Sequence, residues 1–279
     1  MKCQWDKLLE VLPPKFRWDV DRLGRECMEE LRLRVGRKAE LILPGGKRLY
    51  GRTATHEDVD YVLNAASGFS PWSAGSITQG YVSVPGGHRI GVCGEWVQQN
   101  GEVTAIRSVN SLCIRVAREF PGIAENAPPS GSLLILGPPG AGKTTLLRDL
   151  IRVRSGLGTA ISVIDERGEL FPPGGLFEIG ARTDVYTGCS KETGVNMALK
   201  TMGPDCIAVD EITSAVDCRA LLSAGWCGVE LLASAHAADT KDLHRREIYR
   251  PLVRTGLFTR ALVLHKDRSW HAEEVAPWE

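Results

Sequence analysis

The sequence predicts an α/β protein in which a parallel-rich sheet, covered by helices, follows a smaller α+β domain. After residue 132, short apolar runs alternate with helical patterns, which indicates a parallel sheet with ligands at the carboxyl ends of its strands. Before residue 120, strands follow one another through glycine- and proline-rich turns, as in a meander. The expected core elements are strands 132–137, 159–165, 206–210 and 229–235 and helices 143–154, about 190–201 and about 216–224.

The first part of the chain combines short helices with an arginine-rich strand region. Pro13-Pro14 should divide residues 1 to about 30 into two short helices. From Glu30 to Arg37 apolar residues alternate with arginines, which indicates a half-exposed hairpin with an arginine-lined polar side. These arginines have either a functional role or the ordinary place of charges on a solvated strand face.

Further turn and cap signals complete this domain. Thr55 and Asp58 resemble a capping box, which predicts a helix from His56 to about Ser67. Alternating strands then continue to about residue 118. Residues 121–131 are rich in proline, glycine and serine, so we expect a linker there between an N-terminal domain, 1–120, and a core domain, 132–279.

Composition excludes several classes of protein. With 43% apolar residues among 279, the chain should be an ordinary globular protein. Lys+Arg and Asp+Glu balance at 34 each, so there is no global basic field and we do not expect nucleic acid as a partner. The eight cysteines form no C-x-x-C pair, which argues against disulfides and zinc. We find no signal core or membrane-spanning run, so we expect a cytoplasmic chain without direct membrane insertion.

The segment after the first core strand matches the G-x-x-x-x-G-K-[ST] phosphate-binding loop at every position. It lies between an apolar strand and a helix, as the motif requires. Backbone amides and the helix dipole can then converge on a polyphosphate, Lys143 can reach its β- and γ-phosphates, and Thr144 can bind Mg²⁺. We expect ATP at a site formed by Gly137, Pro138, Pro139, Gly140, Ala141, Gly142, Lys143, Thr144 and Thr145.

A second signal bears on hydrolysis. The apolar run 206–209 leads directly into Asp210 and Glu211, the pattern called Walker B. Asp210 would hold Mg²⁺ directly or through water, and Glu211 would orient and deprotonate the attacking water. A strand ending in solvated acids is the simpler alternative, but the upstream phosphate loop favours the catalytic one.

Two more strand ends carry polar groups. Asp165 and Glu166 begin an acidic segment, 165–169, that could position water or metal or could form a structural cluster. His236 follows strand 229–235 and could bond a γ-phosphate or the Glu211 carboxylate, and so report the bound nucleotide. We therefore treat Asp165, Glu166 and His236 as catalytic candidates beside Glu211.

Taken in order, these four boxes resemble those of the secretion and pilus-motor ATPase superfamily, whose core is RecA-like. Within it, the sequence is most similar to the stage III sporulation protein AA family, from about residue 30 to about residue 264. The segments that carry the resemblance are 30–37, 77–81, 86–94, 144–149, 164–169, 182–185 and 204–211.

The resemblance implies partners and further site residues. Such motors form hexameric rings with ATP at subunit interfaces, and the sporulation family is thought to serve a channel or secretion-like complex of membrane proteins. This chain would then lie at the mother-cell side of the forespore membrane, attached through a partner. The implied arginine sensors are Arg89, Arg107, Arg115, Arg118 and Arg182.

The sequence thus predicts a Mg²⁺-dependent ATP hydrolase that acts as an oligomer. One alternative is a nucleotide-gated scaffold that binds ATP but turns it over negligibly. Another is a nucleic-acid-binding ATPase, suggested by the arginine-lined strand and opposed by the neutral net charge.

Overall fold

The computed structural model describes residues 1–44, 46–68, 80–172 and 177–276. Residues 77–79, which belong to one of the motifs quoted above, lie outside this part. Two units are distinguished: the first consists mainly of Met1–Arg118, and the second of Glu119–Phe171 with Phe177–Glu279. None of the described helices is long and apolar enough to cross a membrane.

The first unit is a six-stranded antiparallel sheet with helices packed on one face. The strand order is β3-β2-β1-β6-β5-β4. Along β1, leucines are buried and polar residues half-exposed, so one face joins the apolar core and the other meets water. Its elements are α1 (Trp5–Val11), α2 (Pro14–Leu23), β1 (Glu30–Arg34), β2 (Lys38–Leu43), β3 (Gly46–Thr53), α3 (His56–Ser67), β4 (Tyr81–Val84), β5 (His88–Gln99) and β6 (Glu102–Arg115).

Local signals in this unit are confirmed where backbone chemistry determines them. Pro14 is the first residue of α2, and Thr55 and Asp58 form the capping box that begins α3. By contrast, the separate strands expected between residues 88 and 118 form one long hairpin, β5 and β6. Register shifts at three places in this hairpin interrupt the alternation of apolar residues. The strands themselves continue through these places, although the sequence pattern suggests that they end there.

The second unit is built on a seven-stranded sheet of order β13-β12-β7-β11-β10-β8-β9. All neighbouring strands are parallel except the last pair, β12 and β13. Its elements are β7 (Leu133–Leu136), α4 (Lys143–Gly156), β8 (Ile161–Asp165), β9 (Thr183–Thr187), α5 (Lys191–Thr201), β10 (Cys206–Val209), α6 (Ala215–Trp226), β11 (Glu230–Ala235), α7 (Thr240–Arg245), α8 (Arg250–Arg254), β12 (Arg260–Leu264) and β13 (Trp270–Glu274).

The predicted α/β fold class is confirmed, since both faces of this sheet are buried. Leu134 and Leu136 point into the core beneath α5 and α6, whereas Leu133 and Ile135 pack on the opposite side with α4. Continuous apolar strands are what burial on both faces requires. Three strands were not predicted: β9, β12 and β13. Edge strands β9 and β13 are partly polar, so their patterns lack the apolar run that marks the central strands.

The segment expected to be a linker is fastened to the second unit. The amides of Gly122 and Ala124 donate to the Asp149 carboxylate at 3.0 and 2.8 Å, and Arg154 donates to the Pro128 carbonyl at 3.0 Å. Residues 121–131 therefore belong with the core rather than forming a free connection. The domain boundaries themselves stay a prediction.

Strand order determines which loops meet. In the run β7, β11, β10, β8 the strands are parallel neighbours, so the segments that follow them emerge at the same edge. The phosphate loop is followed across this edge by His236, then Asp210, then the acidic segment that begins at Asp165.

Gly194, the fourth residue of α5, allows this helix to lie close to β8. A Cβ there would lie 2.4 Å from Cγ2 of Ile164, the residue before Asp165. We expect Gly194→Ala to lower the free energy of unfolding by about 1–3 kcal/mol, because the overpacked helix must shift. Urea unfolding measures this change. Gly156→Ala is the matched control: apart from its chain neighbours and the backbone of its own helix, no described atom lies within 4 Å of the added methyl group. It should be neutral or stabilising by up to about 1 kcal/mol. Equal stabilities of Gly194→Ala and wild type would contradict the packing.

Candidate active site

The loop between β7 and α4 needs glycine at three positions. Gly140 and Gly142 have φ of +76° and +102°, conformations that residues with a side chain rarely adopt. At Gly137, a Cβ would lie 3.2 Å from both Cβ and the carbonyl oxygen of Leu264. Within the described chain no side chain caps the start of α4. The first amides of this helix are therefore available to an anion.

Lys143, the first residue of α4, lies folded against its own loop. Its Nζ donates to the carbonyls of Gly137 at 2.9 Å and Pro138 at 3.1 Å, and lies 2.9 Å from Nδ1 of His236. The residue is only 7% exposed. Burial lowers the pKa of Lys143, and the neighbouring charges of Glu211 and Asp210 partly oppose that shift. The ammonium group is thus held at the phosphate loop by neutral acceptors.

The Asp210 carboxylate connects the ends of three elements. One oxygen, Oδ2, accepts from the Thr144 hydroxyl at 2.9 Å. The other, Oδ1, accepts from the Ser234 hydroxyl and from the Glu211 amide, each at 3.0 Å. Ser234 also accepts from that amide at 3.1 Å. Thr144, Asp210 and Ser234 therefore fix the start of α4, the end of β10 and the end of β11 relative to one another.

Ser234 was missed by the sequence analysis. It is fully buried inside β11, between apolar residues, and such a serine looks like part of the core. The available signal was its position, two residues before His236 on a strand that ends at the site.

His236 links the lysine to the second acid. Its Nε2 lies 2.8 Å from Oε1 of Glu211, and the two side chains are 32% and 41% exposed. A lysine ammonium only donates, so Nδ1 of His236 accepts from Lys143 and Nε2 carries the proton that faces Glu211. The contacts form an unbroken chain from Lys143 through His236 to Glu211.

The Asp165 carboxylate accepts hydrogen bonds from the segment that follows it. Only 1% of the residue is exposed, and its two carboxylate oxygens accept from the amides of Glu169 and Phe171, both at 2.8 Å. Burial raises the pKa of Asp165, while the backbone amides of Phe171 and Leu170 act in the opposite direction. Arg148 supports the same loop by donating to the carbonyls of Leu170 and Glu169, and burial lowers the pKa of Arg148 to about 10. As placed, Asp165 shapes this loop.

Glu166 faces a groove beside the acid pair. We call it the acidic groove; its lining residues are Ile164, Asp165, Glu166, Arg167, Glu169, Lys191, Asp210, Glu211 and Thr213. The Glu166 carboxylate is 2.9 Å from Nζ of Lys191, a residue that the sequence analysis did not select.

Four of the predicted arginine sensors belong to the first unit, and each has a partner there. Arg107 pairs with Glu95 at 2.6 Å and Arg115 with Glu30 at 3.2 Å. The Arg118 guanidinium donates to the Arg25 carbonyl at 2.7 Å, and that of Arg89 lies 3.9 Å from the centre of the Tyr81 ring.

Arg182, the fifth predicted arginine sensor, belongs to the second unit. Its carbonyl accepts from the amide of Ile161, the first residue of β8, whereas Asp165 ends that strand beside Thr187. Arg182 therefore lies at the amino-terminal edge of the sheet, opposite Lys143.

Two solved structures share this architecture. The ATPase DotB of Legionella pneumophila is 17% identical, with a TM-score of 0.57 and coverage of 92% of this chain and 78% of that one. The pilus retraction motor PilT, solved with bound ADP, is 16% identical, with a TM-score of 0.60 and coverage of 89% and 76%. At these identities the likeness concerns the fold.

The family comparison is more specific. The family model described as "Sporulation stage III, protein AA" matches residues 7–272. The stage III sporulation protein AA of Bacillus subtilis (strain 168) is 34% identical over 281 residues, which cover 94% of this chain and 91% of that protein. The chain therefore belongs to the sporulation stage III protein AA family.

Proposed function

We propose that this chain is a Mg²⁺-dependent ATP hydrolase that acts as an oligomeric motor or energiser of a sporulation-associated channel or secretion complex. The observation that carries the proposal is the contact chain from Lys143 through His236 to Glu211, beside the pair Thr144 and Asp210. The names of similar proteins, an ATPase, a pilus retraction motor and a sporulation protein, support it.

The oxygen donors at this site fit Mg²⁺ bound together with a nucleotide. The Thr144 hydroxyl and the Asp210 carboxylate are hard oxygen ligands only 2.9 Å apart. Mg²⁺ commonly takes one or two such protein ligands and completes its shell with phosphate and water. When bound, it would neutralise charge between the β- and γ-phosphates. The Ser234 hydroxyl orients the Asp210 carboxylate by donating to its Oδ1.

The residues of the contact chain supply positive charge, a base and a connection between them. To reach a phosphate, Lys143 exchanges the Gly137 and Pro138 carbonyls for a stronger, charged acceptor. His236 Nδ1 then loses its donor, which weakens the hold of the imidazole on Glu211. Glu211 is freed to orient a water molecule and to accept its proton. Nucleotide arrival and activation of the base are coupled in this way.

The two remaining acids act beside this chain. We propose that Asp165 keeps its loop folded and thereby presents Glu166 to the acidic groove, where Glu166 contributes to the field around the attacking water. Asp165 makes no such contribution directly, since both of its oxygens already accept amide protons.

Assembly belongs to the same proposal. We propose that residues 1–120 and 132–279 act as two domains and that six copies form a ring. Arg89, Arg107, Arg115, Arg118 and Arg182 are candidates to contact the nucleotide of a neighbouring copy. We also propose a cytoplasmic location at the mother-cell side of the forespore membrane, where membrane proteins of the channel would hold the chain; the family name supports a role in sporulation.

Removing the two charges of the contact chain should have different effects. Lys143→Ala should lose both ATP binding and turnover, because the site keeps acids without their cation. Glu211→Gln should bind ATP but hydrolyse it about 10²–10⁴-fold more slowly, since the amide accepts no proton. Fluorescent-nucleotide binding and phosphate release, both on assembled protein, measure this. Intact turnover in both variants would refute the site. A wild-type protein that binds ATP but does not hydrolyse it would favour the scaffold alternative.

Ser234→Ala should weaken Mg²⁺-dependent binding of an ATP analogue by about ten- to a hundredfold, the usual cost of losing a group that orients a metal ligand. A Mg²⁺ titration of analogue binding measures the change. Ser162→Ala is the matched control: Ser162 is also buried in a core strand, but its hydroxyl has no hydrogen-bond partner in the described part of the chain. Identical titrations for the two variants would contradict the role of Ser234.

Oligomer formation should depend on nucleotide. Mass measurement of Glu211→Gln with Mg²⁺ and ATP should show a complex about six times the mass of the 30.4 kDa chain. Lys143→Ala should stay small under the same conditions. A Glu211→Gln protein that binds ATP yet remains monomeric would contradict the ring.

A further inference from the structure

Lys191 is a nearly buried cation that the mechanism above does not use. It is the first residue of α5, and its side chain is 10% exposed. Its Nζ lies 2.9 Å from Oε2 of Glu166 and 3.7 Å from Oδ2 of Asp217. The two acids come from different elements, one from the loop after β8 and the other from the first turn of α6.

Asp217 extends this contact to the segment that carries Glu211. Its Oδ2 accepts from the Thr213 amide at 2.9 Å, the Thr213 hydroxyl at 3.1 Å and the Ser214 amide at 3.1 Å. These bonds hold the turn two residues after Glu211. Although burial alone would raise the pKa of Asp217, the Thr213 amide and the Lys191 charge hold it below its ordinary value. Lys191 thus connects the acidic loop to the turn after the catalytic base.

The position of Lys191 is unfavourable for its own helix. A cation in the first turn opposes the helix dipole, and Ser190 already caps α5. The charge is better explained by its surroundings. Glu166, Asp210 and Glu211 all line the acidic groove with Lys191, and these carboxylates would repel one another without a cation between their loops.

We propose that Lys191 is a positioning residue for hydrolysis, which sets the separation between Glu166 and the turn that carries Glu211. This inference rests on the proposed function. Lys191 touches neither the phosphate loop nor Asp210 among its described contacts. Its loss should therefore affect the chemical step and spare nucleotide binding.

Three single variants test the position and charge of this residue. Lys191→Met should lower kcat by about ten- to a hundredfold, as small misplacements of catalytic groups do, with KM and ATP-analogue affinity changed less than about twofold. Lys191→Arg should recover most of the rate because it keeps the charge. Lys200→Met, in the last turn of the same helix, is the matched control and should behave as wild type. Unchanged kcat in Lys191→Met would overturn the inference.

A double-mutant cycle separates positioning from general weakening of the fold. If Lys191 acts through Glu166, the combination of Lys191→Met with Glu166→Gln should cost less than the product of the two single effects. A cost equal to that product would mean that the two residues act independently, and this would also overturn the proposal.

Carboxyl NMR titration of Asp217 gives a readout that needs no turnover. In Lys191→Met the pKa of Asp217 should rise toward its ordinary value. Since the folded pKa of Asp217 is depressed, its contribution to stability is present above the unfolded pKa and is lost as pH falls through the folded one. Acid unfolding of Lys191→Met should therefore begin at higher pH than that of wild type.

The two readouts distinguish the possible failures. An unmoved Asp217 titration would show that the ion contact is absent and would overturn the inference whatever the turnover. The pKa of Asp217 could rise in Lys191→Met while the wild-type protein binds ATP but never hydrolyses it. That result would refute the proposed function and, with it, the hydrolytic role of Lys191. If Lys191→Met hydrolyses ATP as fast as the wild-type protein, only the positioning role is refuted.

Discussion

The parallel pairing of β7, β11, β10 and β8 is the constraint on which the site depends. Leu136 pairs with Ala235, and Val209 pairs with both Ala233 and Ile164. The chain therefore leaves all four strands at the same edge of the sheet, and their last residues lie at nearly the same level. Lys143, His236, Asp210 and Asp165 are brought together because of this pairing, although they are distant in sequence. Apolar burial on both faces of the sheet keeps the pairing in place.

Two kinds of polar contact make use of that edge. One group is already satisfied: Asp165 bonds its own loop, and Asp210 bonds Thr144 and Ser234. The other group joins the buried Lys143 to the partly exposed side chains of His236 and Glu211. The first group gives the edge a stable shape. The second can exchange its partners, which is what a site that responds to a ligand requires.

Sequence reasoning succeeded where the backbone itself imposes a residue type. Glycines at positive φ, the proline that begins α2, the capping box of α3 and the buried parallel strands all leave direct signals. It failed where neighbours in space decide. Ser234 and Lys191 gain their importance from groups on other strands and helices, and neither belongs to one of the sequence motifs. The polar edge strands β9 and β13 likewise lack the periodicity that marks a strand, and the bulges of β5 and β6 divide their alternation into shorter predicted strands.

The central claim is that Lys143 changes partners when a triphosphate binds. A structure of the protein with Mg²⁺ and a non-hydrolysable ATP analogue tests it most directly. We expect Nζ of Lys143 to contact the β- and γ-phosphates, more than hydrogen-bond distance from Nδ1 of His236, with Glu211 released from the imidazole. A bound nucleotide that leaves Lys143 on the Gly137 carbonyl and on His236 would contradict the account.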